Sequence, residues 1–302
     1  MSSKSRFQLI LFSQHGLMDN NQTMKALAHQ VAPPQSLVTA PNLGYLNTFL
    51  DIESLIEKVE KNASQTLRKY PDLPARIIAT SLGGVIWVEV LSKHPEWWSR
   101  FESLVLLGAP IGGADLARIV DPFGWGIGIA KGLGENRRAL AEQITAQIPS
   151  LVVAGNTTGG GDGTVTLEST KLKQAHSVCL KNVGHADLRT DPAVVRAIQE
   201  FWSEPRQPLP QSEDSLTSKL INHFRAVPGI TDADARDLRY AKTKFYFSEG
   251  VSLRTWKNPA GVQHIFLANP HGDCEYAAFV GWVHTDGLDR AIEQAIRKFR
   301  DS

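Results

Sequence analysis

The sequence predicts an α/β protein, with a parallel sheet covered by helices on both faces and a smaller α+β part at the C-terminus. Three observations predict it. Short, continuously apolar runs alternate with segments of helical spacing over residues 1–203, and strands apolar along their whole length are those buried on both faces of a parallel sheet. Glu204 to Gln211 (EPRQPLPQ) then carries three prolines and reads as an extended linker. Beyond it the pattern changes to short helices, a series of strands and one closing helix.

The elements follow in order. Phe7 to Ser13 (FQLILFS) is the first apolar run and ends in the polar turn Gln14-His15-Gly16. Asn21 to Val31 has helical spacing, with Met24, Leu27, Ala28 and Val31 on one stripe. Ser36 to Ala40 is a short strand closed by Pro41-Asn42, and Ile52 to Tyr70 is an amphipathic helix stopped by Pro71. Arg76 to Thr80 reads as a buried strand, with the helix Leu82 to Lys93 directly after it. Ser103 to Leu107 is a strand ending at Gly108-Ala109-Pro110, and Leu151 to Ala154 precedes the glycine-rich stretch Gly159 to Gly163. Ser177 to Leu180 is the last strand of this part, followed by Asn182 to Asp187 and the helix Pro192 to Trp202.

After the linker, helices are predicted over Leu216 to Ala226 and Asp232 to Ala241, and a closing helix over Asp286 to Phe299. Strands are predicted over Lys244 to Phe247, Val251 to Trp256, Val262 to Ala268 and Tyr276 to Val283, their aromatics Phe245, Tyr246, Phe247, Trp256, Phe266, Phe279 and Trp282 forming a small core. The expected organisation is therefore residues 1–203, a linker at 204–212 and an α+β domain at 213–302, with few contacts crossing between the two parts.

Composition narrows the function classes. Of 302 residues, 42% are hydrophobic and 21% charged, which excludes wholesale disorder and a fibrous repeat. Lys plus Arg numbers 32 against 31 for Asp plus Glu, so the net charge of +1 offers nothing to a nucleic acid. Two cysteines, Cys179 and Cys274, cannot form a secreted disulfide framework and point to a reducing compartment. No run of about 18 apolar residues occurs, and Phe7 to Phe12 is too short for the apolar region of a signal peptide. A cytoplasmic protein is expected, with attachment to a membrane surface still open.

Ala79-Thr80-Ser81-Leu82-Gly83-Gly84 lies between a strand and a helix. A turn that exposes a serine hydroxyl at a strand end is so sharp that the positions two before and two after the serine must be small, as Ala79 and Gly83 are. An acyl-transfer serine needs an imidazole base, and that imidazole needs a carboxylate to fix its tautomer. Asp162 (GDGTV) and His185 (VGHAD) supply them, each on the loop after a successive strand and in the order Ser, Asp, His. Asp115, after the preceding strand, is the competing carboxylate; the glycine-rich loop favours Asp162. Asp187 reads as a turn residue, and His29, His94 and His176 as surface residues in helical or helix-end contexts. The backbone N–H groups of Leu82, at a helix start, and of Leu17, after the first strand, are the candidate oxyanion donors.

Together these residues resemble the α/β-hydrolase superfamily, and more narrowly its lipase-type acyl hydrolases, including bacterial triacylglycerol lipases and GPI-inositol-deacylase-like proteins. The shared features are His15-Gly16-Leu17, the Ser81 turn, Gly108-Ala109-Pro110 with Gly112-Gly113, Gly161 to Val165, and Gly184-His185. They cover about residues 6 to 203. Two features depart from the pattern: the chain begins at what would be the family's third strand, and Thr80 stands where a histidine is usual.

The resemblance implies an α/β-hydrolase fold with a minimal, mostly parallel sheet of about six strands. It implies a serine hydrolase for a carboxylic ester, an acyl or lipid ester, with Ser81, Asp162 and His185 catalytic, Leu17 and Leu82 as the oxyanion hole, and neither metal nor cofactor. The same apparatus would serve a thioesterase or an acyltransferase. The alternative class is a hydrolase fold kept as a binding module.

Residues 111–150 occupy the place of a cap, and Pro122 to Ile129 (PFGWGIGI) suits either a mobile cover that meets an acyl chain or a membrane surface, or a buried packing loop. His271-Gly272-Asp273-Cys274-Glu275 holds four metal-ligand types, but with no second ligand pair it reads as a hairpin turn.

Overall fold

A computed structural model describes residues 7–44, 52–113, 136–157, 160–204, 207–209 and 215–300. The N-terminal part runs β1 (Leu9–Gln14), α1 (Asn21–Val31), β2 (Ser36–Thr39), α2 (Ile52–Lys69), β3 (Ala75–Thr80), α3 (Leu82–Lys93), β4 (Phe101–Leu107), α4 (Arg138–Thr145), β5 (Ser150–Asn156), the single turn α5 (Leu167–Thr170), β6 (His176–Lys181) and α6 (Pro192–Ser203). The six strands form one all-parallel sheet in the order β2-β1-β3-β4-β5-β6.

The side-chain period of two explains why these strands are apolar throughout. Ile10 and Phe12 of β1, Ile77 and Ala79 of β3, and Leu104 and Leu106 of β4 face α2, α3 and α4. Leu11, Ile78, Val105 and Leu107 face α1 and α6 on the opposite side. Trp87 of α3 anchors the first layer, its ring 5.1 Å from Phe12 and 6.1 Å from Phe101.

The C-terminal part comprises α7 (Leu216–Arg225), β7 (Ile230–Asp232), β8 (Lys242–Tyr246), β9 (Ser252–Lys257), β10 (Gln263–Ala268), β11 (Cys274–Val280) and α8 (Thr285–Phe299). Its antiparallel sheet has the order β7-β11-β10-β9-β8. Leu220 and Phe224 of α7 and Leu288 and Phe299 of α8 cover one face, over Leu253, Ile265, Leu267 and Tyr276. Phe266 and Ala277 look to the other face, with Trp256, Phe279 and Leu238 beside them. Among the described residues no helix is long and apolar enough to cross a membrane.

Four expectations change. His176 opens β6 and is not helical. Residues 232–241 form the end of β7 and a 3₁₀ turn, Ala235–Tyr240, started by the Asp234 side chain accepting from Arg236 N–H. Tyr246 and Trp282 are 66% and 68% exposed and lie outside the core, because Tyr246 ends the edge strand β8 and Trp282 begins the 3₁₀ turn Trp282–His284 before α8. The fourth concerns contacts between the two parts, which are substantial. Asp232 forms a buried ion pair with Arg138, whose Nη2 also donates to Glu168 O at 2.8 Å. Arg225 pairs with Glu168 at 3.4 Å, and Gln174 O accepts from Leu209 N–H of the linker at 3.0 Å. Burial pushes the Asp232 carboxyl up, against the opposing pull of Arg138 and Arg225.

Candidate active site

In this strand order the chain runs outward from β1 to β2 and then returns to β3 on the other side of β1. The loops after β1 and β3 therefore part at their carboxyl ends, where open α/β sheets form their crevice. Ser81 stands there, between β3 and α3, with φ 52° and ψ −127°. That is a left-handed conformation an L-residue enters only under strain. Its N–H donates to Leu107 O at 2.9 Å, and Thr80 Oγ1 donates to the same carbonyl at 3.2 Å, so the threonine secures the turn to β4. Gly83 has to be small: a Cβ there would lie 2.6 Å from His15 O.

The turn after β1 closes over the serine. A Cβ on Gly16 would fall 2.8 Å from Ser81 Cβ and 3.4 Å from Leu82 N. Leu82 is the first residue of α3, where a backbone N–H has no intrahelical acceptor. Among the described residues, neither its N–H nor that of Leu17 donates to another protein group.

His15 holds this turn in place. It is fully buried; its Nε2 accepts from Leu43 N–H at 2.9 Å, so its proton sits on Nδ1 and is donated to Gly16 O at 3.0 Å. Burial lowers the affinity of the ring for a second proton. His15-Gly16 alone looks like an ordinary turn, and only the buried partner Leu43 shows the role.

Asp162 and His185 are in contact. Asp162 Oδ1 accepts the backbone N–H groups of Thr164 at 3.0 Å and Val165 at 2.7 Å, leaving Oδ2 to accept from His185 Nδ1 at 2.7 Å. The His185 N–H donates to Asp162 O at 3.1 Å, so side chain and backbone both register the two loops. The pair stands over the end of β4: a Cβ on Gly108 would lie 3.1 Å from Asp162 Oδ2 and 3.2 Å from His185 Cε1. Gly108 follows Leu107, whose carbonyl holds Ser81. Ser81 and the Asp162–His185 pair thus flank one strand end, with no hydrogen bond from Ser81 Oγ to His185 among the described residues. Apo geometries of this kind tighten when substrate binds.

Asp187 Oδ2 accepts from Gly184 N–H at 3.2 Å, the turn role its position suggests. Arg189 forms an ion pair with Asp19, tying the loop that bears His185 to the turn that bears Leu17. Neither residue stands out in the sequence, since isolated charges usually mark solvated surface. Asp115 and Pro122 to Ile129 lie outside the described residues. Residues 271–273 lie in the β10–β11 connection, where Gly272 N–H donates to Asn269 O and Asn269 N–H to Asp273 O, each at 2.9 Å, and Cys274 and Glu275 open β11. Among the described residues no three His, Cys, Asp or Glu side chains gather as metal ligands.

No family model and no curated protein matches the sequence. Solved structures do match. The propeptide form of Bacillus licheniformis lipase BlEst2 superposes with a TM-score of 0.52 at 15% identity, over 91% of this chain and 68% of its own. Aspergillus fumigatus lipase B gives 0.51 at 11% identity, over 69% of this chain and 55% of its own. A gene product of Listeria innocua gives 0.50 at 12% identity, over 68% and 98%. The chain has the α/β-hydrolase fold. In an α/β hydrolase, a hydroxyl at a helix start, two unclaimed N–H groups and an imidazole anchored through Nδ1 are the parts that acyl transfer requires.

Proposed function

We propose that this chain is a serine hydrolase that cleaves a carboxylic ester, an acyl or lipid ester, through an acyl-enzyme on Ser81. The observation that carries this reading is the Asp162–His185 hydrogen bond of 2.7 Å at the strand end beside the Ser81 turn. Asp162 keeps the His185 proton on Nδ1, which leaves Nε2 as the base. Nε2 takes the proton of Ser81 Oγ as the oxygen attacks the ester carbonyl. The N–H groups of Leu17 and Leu82 hold the oxyanion, helped by the positive end of α3. The tetrahedral intermediate collapses, the alkoxide leaves with the proton from imidazolium, and water repeats the sequence to release the acid. Metal and cofactor have no part in these steps.

The lipase neighbours support an acyl substrate, and contact of residues 111–150 with a lipid surface is part of the same proposal. A thioester in place of the ester, or a hydroxyl in place of water, would use the same groups. The test is labelling by a fluorophosphonate probe, with turnover of p-nitrophenyl esters, thioesters and lipids over a range of acyl lengths. Wild-type protein is expected to label and turn over, whereas Ser81→Ala folds, fails to label and loses several orders of magnitude in rate. A Ser81→Ala chain with near-wild-type turnover would overturn the assignment, and a wild-type chain that neither labels nor hydrolyses would leave a binding module.

A further inference from the structure

Two carboxylates from the C-terminal part reach both flanks of the loop that bears Asp162. Asp234 is clipped to Arg236, accepting its N–H at 2.9 Å and its Nε at 3.0 and 2.9 Å. The clip sits directly on Gly160, where a Cβ would lie 2.3 Å from Asp234 Oδ1 and 3.2 Å from Arg236 Nε. Gly160 and its neighbour Gly161 start the loop: Gly160 O accepts from Leu167 N–H and Gly161 O from Thr157 N–H, each at 2.9 Å.

Asp232, two residues earlier, holds the other flank. Its side chain pairs with Arg138, which donates to Glu168 O in α5, the helix following the loop. Its N–H donates to Gly112 O at 3.4 Å, while Gly112 N–H donates to Ser169 O at 2.8 Å. Gly112 belongs to the segment that leaves β4 at Gly108, beside Asp162 Oδ2 and His185 Cε1. Energetically this junction is a poor stabiliser. Six of the eight buried side-chain polar atoms without a hydrogen-bond partner among the described residues belong to Arg138, Glu142, Arg225, Asp232 and Tyr276. Buried ion pairs with incomplete partners add little net stability and serve better to fix geometry.

We infer that Asp232 and Asp234 are positioning residues that hold the Asp162 loop, and through it the Asp162–His185 hydrogen bond, so that the C-terminal part belongs to the hydrolytic unit. This rests on the triad reading above. The hydrogen bond has little slack, because a 2.7 Å contact lengthened by about 1 Å ceases to be one. Displacements of that size cost catalysis about 100-fold.

The test uses the full chain with Asp234→Ala, Asp234→Asn and the double variant Arg138→Met/Asp232→Leu. Asp234 is half-buried and its removal leaves Arg236 free to hydrate, so Asp234→Ala should fold. In Asp234→Asn the amide oxygen still accepts from Arg236 N–H and still rests on Gly160. The double variant replaces the buried pair with apolar groups, which such sites tolerate. Two readouts are taken: the low-field proton resonance of His185 Nδ1–H and the acid limb of kcat/KM against pH for a small p-nitrophenyl ester.

Asp234→Ala and the double variant are expected to lose 10- to 100-fold in kcat, as displaced catalytic groups do, to within about a factor of ten. Their acid limb should move to lower pH, because a loosened carboxylate stabilises imidazolium less, and their resonance should move upfield. Asp234→Asn should restore all three. An unmoved resonance and acid limb in both, with only a lowered Tm, would make the junction structural and overturn the inference. If wild-type protein hydrolyses nothing, the triad reading fails, while the resonance still reports whether these residues hold the Asp162 loop.

Discussion

Asp162→Asn tests the proposed mechanism at the point where the structure is most constraining. Oδ1 lies between the N–H groups of Thr164 and Val165, at 3.0 and 2.7 Å. An asparagine must keep its carbonyl oxygen there, since an amide nitrogen would face two donors. Its NH2 then occupies the Oδ2 position, 2.7 Å from His185 Nδ1. Two donors cannot share that contact, so the imidazole moves its proton to Nε2 and presents a lone pair at Nδ1. Nε2–H cannot accept the Ser81 proton. The same exchange in a serine protease triad costs about 10⁴ in kcat, equivalent to about 5 kcal/mol in the barrier. Because the substitution is isosteric and Oδ1 keeps its bonds, the melting temperature should change little. Turnover of p-nitrophenyl butyrate by the two proteins at pH 8 decides the matter, with Asp115→Asn as the control expected near wild type. An Asp162→Asn chain within tenfold of wild type would refute the tautomer argument, and the reverse ranking of the two variants would move the carboxylate to the segment after β4.

Three further outcomes are expected. His15 is held neutral because burial lowers its proton affinity below the ordinary 6.5, so between that folded value and 6.5 the unfolded chain binds more protons and stability falls as pH drops below about 6.5; Tm measured from pH 7 to 5 should fall less steeply in His15→Gln, and equal slopes would show that His15 does not resist protonation. Cys179 is exposed, whereas burial pushes the Cys274 thiol up to about 12, so iodoacetamide should modify Cys179 first by mass spectrometry, and the opposite order would contradict the packing of β11. A chain ending at Glu204 uncovers Arg138, Glu168 and Gly112; it should be poorly soluble or at least about tenfold slower on a small ester, and full activity would show that the junction does not matter.

Much of the N-terminal part was legible because burial on both faces forces apolar residues at consecutive positions, so β1, β3, β4 and β5 announce themselves as unbroken runs. The pairing of Asp162 with His185 is legible because each residue follows a strand and sits among small residues that a tight turn needs, as Ser81 of the proposed triad also does. The junction was not. Arg138 and Asp232 are 94 positions apart, and nothing local distinguishes a buried charge from a solvated one. β7 escaped because Ile230–Asp232 spans three residues, too short for a period to show. The 3₁₀ stretch Ala235–Tyr240 resembles an α-helix in sequence because its Asp234 cap is also the cap of a helix start. Residue type suggests a core place for Tyr246 and Trp282, whereas the end of an edge strand and a turn before α8 leave them to solvent.

The backbone of Ser81 carries a consequence for how such a site persists. At φ 52° and ψ −127° every L-residue is strained, by about 1–3 kcal/mol, and glycine alone would relieve it. Ser81→Gly would therefore be more stable than the wild-type chain and, under the proposed mechanism, would lack its nucleophile. Stability and use pull this one position in opposite directions, so drift without a demand for the hydroxyl would favour glycine. Gly83 and Gly84 already stand beyond Leu82 in the first turn of α3; a serine at the strained position is a residue that folding alone would not select.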